Sequence, residues 1–201
     1  MRKEKIIIFD FDGVIADSFE IAFAVNGITR PNIKREDYRK LFDGNIYDAE
    51  FKEPAEKEID FWDELGKRFE ALGINRDVKS VIKKLRENFD LFIVSSTTES
   101  IIKAYLERLG MLDCFTEILG YETETSKVKK FKMIFKKYRV SPVESIFITD
   151  TAGDIKEAQE AKINFIIGIL GGFQFRESLE KAKPDAIAED FNDFFDIVQG
   201  K

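Results

Sequence analysis

Histidine is absent from all 201 residues. With it go every Ser-His-Asp and Cys-His nucleophile scheme, every imidazole base and every imidazole metal ligand, so any chemistry must rest on carboxylates, lysine or hydroxyls. The one cysteine, Cys114, cannot close an internal disulfide or build a thiolate zinc centre, which points to a reducing compartment. Glycine and proline are scarce, at 12 and 4 residues, and no polar tract recurs, so disordered, collagen-like and low-complexity classes drop out. No apolar run approaches the ~18 residues of a membrane span. The stretch from Ile6 to Phe9 stops at Asp10, too short for a signal h-region. With 32 basic against 38 acidic residues the net charge is −6, which gives no basic field for a phosphate polymer. These absences predict a cytoplasmic protein with no nucleic-acid or membrane partner.

What is present is a hydrophobic fraction of 44%, enough to fill one core at this length. Short apolar, β-rich runs recur at residues 5–9, 90–94, 117–119, 145–149, 164–168 and 185–188. Helical patterns at 100–109, 128–138 and 154–162 lie between them, the first with Ile101, Ile102, Tyr105, Leu106 and Leu109 on one face before Gly110. Strand alternating with helix predicts an α/β fold, a doubly wound parallel sheet. The first two strands begin 85 residues apart and later ones 19–28 apart. The surplus reads as a small helical cap, residues 16–77, inserted into a core of residues 1–15 and 78–201. Its expected helices are 18–26, 36–42 and 55–72. The insertion falls at the carboxyl edge of the sheet, where open α/β sheets bind ligands.

The first strand runs into Asp10-Phe-Asp12-Gly13. Residues two apart on a strand share a face, so both acids point beyond the strand end. Two acids held together repel, and a hard divalent cation with oxygen ligands relieves that. A turn at Asp12-Gly13 with Asp10 as a cap is the simpler alternative. The fourth strand repeats the arrangement as Thr149-Asp150-x-x-x-Asp154, where Asp154 also suits a helix N-cap. If the two strand ends are neighbours, four carboxylates surround one point and imply magnesium. The second strand ends in Ser95-Ser96 ahead of a helix start, a place that favours anions, although Ser96-x-x-Glu99 also fits a capping box. Lys127 opens a helix, where its charge opposes the macrodipole and so needs another reason.

In this order the motifs resemble the haloacid dehalogenase superfamily, in the branch with a helical cap after the first strand, like phosphoglycolate phosphatases and β-phosphoglucomutases. The resemblance covers nearly the whole chain. It implies a Rossmann-like core, Mg2+ and phosphoryl transfer through an aspartyl-phosphate. Carried over, Asp10 is the nucleophile and Asp12 the acid that protonates the leaving alcohol. The metal site is formed by Asp10, Asp12 through its backbone carbonyl, Asp150 and Asp154, the last orienting Lys127 or water on the metal. Ser95 and Lys127 bind the phosphoryl oxygens, with Lys129 and Lys130 as alternatives to Lys127. Thr149 and Ser96 depart from the glycine and asparagine found in many relatives.

The implied activity is a magnesium-dependent phosphatase acting on a small phosphorylated metabolite such as phosphoglycolate or a sugar phosphate, in a monomer or homodimer. The alternatives are a sugar phosphomutase and a phosphoacceptor or sensor domain without turnover. Dehalogenation is disfavoured, because a halide leaving group gives Asp12 no proton to deliver. In the cap, fifteen acids against ten bases disfavour polyanionic substrates. The Gly44-Asn45 turn is expected to bring a polar loop to the substrate beside Ser96, and Phe42, Phe51, Phe61 and Trp62 are candidates to line the site, although aromatics at helical spacing also suit a core.

Overall fold

Alternate residues of the strands are buried on opposite sides, which locates the core on both faces of one sheet. The computed structural model describes residues 5–200. Six strands, β1 (Ile6–Phe9), β2 (Asp90–Val94), β3 (Glu117–Leu119), β4 (Ser145–Thr149), β5 (Phe165–Ile169) and β6 (Ala186–Ala188), form a single sheet. Its order is β3-β2-β1-β4-β5-β6 and every pairing is parallel. The chain winds outward from β1 to β3, then returns to place β4 on the other side of β1. The strand order therefore reverses between β1 and β4, where the ligand crevice of such sheets opens.

Nine helices follow in chain order among the described residues: α1 (Phe19–Thr29), α2 (Arg35–Lys40), α3 (Phe61–Phe69), α4 (Arg76–Asn88), α5 (Glu99–Arg108), α6 (Lys127–Tyr138), α7 (Ala152–Glu160), α8 (Arg176–Ala182) and α9 (Phe191–Gln199). Ile7, Phe9, Leu91 and Ile93 face α4, α5 and α9, while Ile6, Ile8, Phe92 and Val94 face α6, α7 and α8. Both faces of the sheet are covered, so the strands read as continuous apolar runs.

The expected strands are all present to within one residue, and helices 100–109, 128–138 and 154–162 appear as α5, α6 and α7. The insert between β1 and α4 departs from expectation in two places. Residues 55–60 are not helical, and only α3 forms from the expected helix 55–72. The Asp60 carboxylate accepts the Asp63 N–H at 3.0 Å and so sets the N-terminus at Phe61, overriding the apolar periodicity upstream. Helix 36–42 likewise ends early, tightening into a 3-10 turn at Leu41–Asp43.

Phe9 is fully buried, with its ring against Phe115, Phe191 and Phe194. Truncation to Ala leaves a cavity where β1 meets α9. Phe9→Ala should cost about 3–5 kcal/mol, read as a shift in the urea midpoint with the slope unchanged.

Candidate active site

Asp10 follows β1 directly, and its backbone N–H donates to Ile148 of β4 at 2.9 Å, which keeps it beside Asp150 at the end of the neighbouring strand. Asp10 and Asp150 are both buried. The positive charge comes from α6. Ser126 caps its N-terminus, and the buried Lys127 at its first position sends Nζ to 2.8 Å from Asp10 Oδ1 and 2.8 Å from Asp154 Oδ2. Lys129 turns outward to Glu124, and Lys130 donates to the Ser95 carbonyl at 2.5 Å. Lys127 is thus the lysine of the three that meets the acids. Asp154 is not the N-cap of α7, since the Thr151 hydroxyl takes that place. Thr149 Oγ lies 2.9 Å from Asp154 Oδ2 and 3.3 Å from Asp10 Oδ2, so this departure from glycine puts a hydroxyl between two carboxylates.

Burial dominates the titration of these groups. It pushes Asp10 well above the usual carboxylate range, with Lys127 opposing and Asp154 adding to the rise. It pushes Asp150 up to about 7, against the pull of the Phe173 N–H. At Asp154 burial acts the same way, but the Lys127 charge and hydrogen bonds from its neighbours outweigh it and hold the group at about 2. Lys127 itself stays protonated, because Asp10 and Asp154 more than offset its desolvation. Burial and the Lys127 charge bring Lys130 down to about 8. Asp12 is also raised by loss of solvent, moderated by hydrogen bonds from Ser18 and Thr97.

The four carboxylates do not converge on one point. Among the described residues no three His, Cys, Asp or Glu side chains form a ready ligand set. Asp12 turns its carboxyl group onto the hydroxyls of Ser18 at 2.6 Å and Thr97 at 2.7 Å, and Lys127 occupies the space between Asp10 and Asp154. Asp150 remains. Its Oδ2 accepts the Phe173 N–H at 2.5 Å, while its buried Oδ1 has no partner. A buried carboxylate oxygen without a donor is costly, and a hard cation satisfies it. Gly13, at φ +73°, and Gly172 both lie against this carboxylate so closely that a Cβ at either would collide with it.

Over these groups lies a cavity of about 280 Å³ whose wall includes Asp10, Asp12, Lys127 and Asp154. Ser95 does not line it: the residue is fully buried, and its hydroxyl accepts the Thr97 N–H at 2.9 Å and lies 3.5 Å from Asp12 Oδ2. The hydroxyl-bearing residues on the wall from this loop are Ser96 and Thr97, and the alternative of a capping box at Ser96 does not form, since Thr98 is the N-cap residue of α5. Gly44 lines the cavity as expected, but Asn45 does not. The Asn45 amide instead donates to Thr125 at 3.3 Å and Glu157 at 3.4 Å, tying the insert to α6 and α7. Phe42, Phe51, Phe61 and Trp62 all reach the wall. Sequence reasoning missed Thr97, Asn26, Tyr38, Tyr47 and Phe173. Of these only Thr97, within the serine-threonine run after β2, left a local signal.

The fold gathers buried carboxylates and a lysine at the carboxyl edge of an α/β sheet. The chain belongs to the haloacid dehalogenase-like hydrolase family, whose profile matches residues 7–167. The phosphoglycolate phosphatase of Vibrio vulnificus (strain CMCP6) is 23% identical, across 96% of each chain. A crystal structure described as a predicted phosphoglycolate phosphatase from Haemophilus somnus superposes with a TM-score of 0.76 at 22% identity, over 99% of this chain and 100% of that one. A hydrolase from Pseudomonas syringae reaches 0.80 at 16% identity over 98% of both chains. The structural likenesses carry the fold.

Two measurements check this geometry. Lys127→Met leaves Asp10 and Asp154 buried without their cation, and should cost about 3–5 kcal/mol in urea unfolding; adding Asp154→Asn should recover part of the loss. The second concerns pH. In chelator-treated protein Asp150 holds a proton up to about 7, which the unfolded chain releases near 3.8. Stability from this group is present below that lower value and is lost as pH rises to about 7. The wild type should therefore lose more melting temperature between pH 4 and 7 than Asp150→Asn does.

Proposed function

We propose that this chain is a magnesium-dependent phosphatase that hydrolyses a small phosphomonoester through an aspartyl-phosphate on Asp10. The observation that carries the reading is Asp12. Its carboxyl group shares a cavity with Asp10, is held by the Ser18 and Thr97 hydroxyls, and has its proton affinity raised by burial. An acid so tuned suits proton delivery to a leaving alkoxide.

The donors present fit a hard cation, through the unpartnered Asp150 oxygen and the carboxylate of Asp10, with the Asp12 backbone carbonyl as the further ligand that the family resemblance implies. Magnesium bound there supplies Lewis-acid charge that lets an anionic carboxylate meet an anionic phosphoryl group. Lys127 acts in the same direction, opposing the burial that favours a protonated Asp10. An Asp10 oxygen attacks phosphorus, the P–O ester bond breaks, and Asp12 gives its proton to the departing oxygen. Asp12, now ionised, takes a proton from water as that water attacks the phosphoryl group, and cleavage of the bond to Asp10 releases phosphate. Thr149 and Asp154 position Lys127 and Asp10 for both steps. Phosphorylation without turnover gives Asp12 no task, and so accounts for less of the site.

Purified protein with magnesium should release phosphate from a generic aryl phosphate, and chelator or Asp10→Asn should abolish the release. Asp12→Asn should lose ~10²–10⁴ in rate on an alkyl phosphate and much less on an ester whose leaving group needs no proton. A broad phosphate-ester panel with magnesium and no turnover overturns the reading.

A further inference from the structure

The insert supplies most of the cavity wall beyond the acids, and that wall is apolar: Phe42, Ile46, Phe51, Phe61, Trp62 and Leu65. Of its polar side chains, Asn26 and Tyr47 are already engaged as donors. The Asn26 amide donates to Ala22 at 2.9 Å and to Tyr38 Oη at 3.3 Å, and the Tyr47 hydroxyl donates to the Ser96 carbonyl at 2.5 Å. Lys127 is the one cation among the described lining residues, and it is committed to Asp10 and Asp154. Two arginines of the insert touch wall residues without lining the cavity. Arg30 stacks on the Phe51 ring at 3.8 Å, and Arg39 donates to the Phe173 carbonyl while lying over Phe19 at 3.7 Å. The remaining charged lining residues, Asp10, Asp12, Asp154 and Glu157, are acids.

A carboxylate or second phosphate on the leaving alcohol would therefore lose its water against aromatic rings, close to acids and without a free cation. An apolar alcohol gains by the same burial. The volume, about 280 Å³, lies near the lower end of the roughly 300–1,000 Å³ common for small-molecule sites, room for one ring with its phosphate. Resting on the phosphatase reading above, we infer that the substrate is the phosphate ester of an uncharged, predominantly apolar alcohol of about one ring's size. Carboxylated and multiply phosphorylated alcohols are selected against.

Trp62 is the only tryptophan in the chain and lies on this wall, so its fluorescence reports occupancy. Benzylphosphonate and phosphonoacetate are a matched pair in which phenyl replaces carboxylate on one phosphonomethyl group, and neither has an ester bond to cleave. Titrated into the magnesium-loaded wild-type protein, benzylphosphonate should bind at least about tenfold more tightly. Ile46→Arg places a cation on the wall and should narrow that ratio. Equal or tighter binding of phosphonoacetate overturns the inference, as does a ratio that Ile46→Arg leaves unmoved. If inorganic phosphate competes with both phosphonates while phosphonoacetate binds tighter, the inference fails and the phosphatase reading stands. If neither phosphonate nor phosphate binds, and no ester is turned over, both fail.

Discussion

Two parallel strands lying side by side bring Asp10 and the turn from Asp150 to Asp154 into one desolvated volume, and the negative charge gathered there must be balanced. Charges so placed interact far more strongly than in water. Lys127 answers for two of the acids at once, and this explains a helix that opens on a lysine against its own macrodipole. It does not reach Asp150, whose second oxygen stays without a partner. That carboxylate lies next to two glycines, Gly13 and Gly172, that leave no room for a side chain.

The insert closes that volume by contacts at its rim. Gly153 in α7 packs so tightly under the Gly44 carbonyl that a Cβ there would clash, and Lys156 donates to the Asp43 carbonyl at 2.7 Å. Gln174, arriving from the loop after β5, donates to Asp43 at 2.7 Å and to the Arg39 carbonyl at 3.1 Å. Rings of Tyr47 and Trp62 meet Tyr121 of the core at 5.3 and 5.4 Å. The polar side chains at the rim are used in holding the insert in place, so the surface left facing the cavity is largely hydrocarbon. A wall of that kind excludes water and strengthens the electrostatics of the acids beneath it.

How much of this was legible in the sequence follows from how local each determinant is. The strands and the spacing between them were readable, because an apolar run bounded by caps reports burial directly, and the reversal between β1 and β4 then brings the acid motifs together. The sequence pattern extends α3 back to residue 55 because Ile59 continues its apolar period, although the Asp60 cap breaks the backbone pattern. Asn45 looked like a ligand contact since a Gly-Asn turn is polar, yet its partners, Thr125 and Glu157, lie far along the chain. Ser95 and Thr97 both turn hydroxyls toward Asp12, at 3.5 and 2.7 Å, and no pattern encodes that the chain turns after β2 so that of the two only Thr97 also reaches the cavity wall. Phe173 and Gln174 carry no motif. Their placement depends on where the loop after β5 passes over Asp150.

Helix α6 joins these separate determinants. Lys127 and Lys130 are three residues apart, on one face, and serve different neighbours. The first balances the acids of β1 and α7; the second supports the carbonyl of Ser95, and with it the loop whose Thr97 hydroxyl holds Asp12. Burial, and after it the charge of Lys127 one turn away, brings Lys130 down to about 8. A single helix thereby contributes to the surroundings of both Asp10 and Asp12. Neither Asp10 nor Asp12 reaches its position through its own strand alone, since both hydrogen-bonding environments are completed from α6 or from the loop α6 supports.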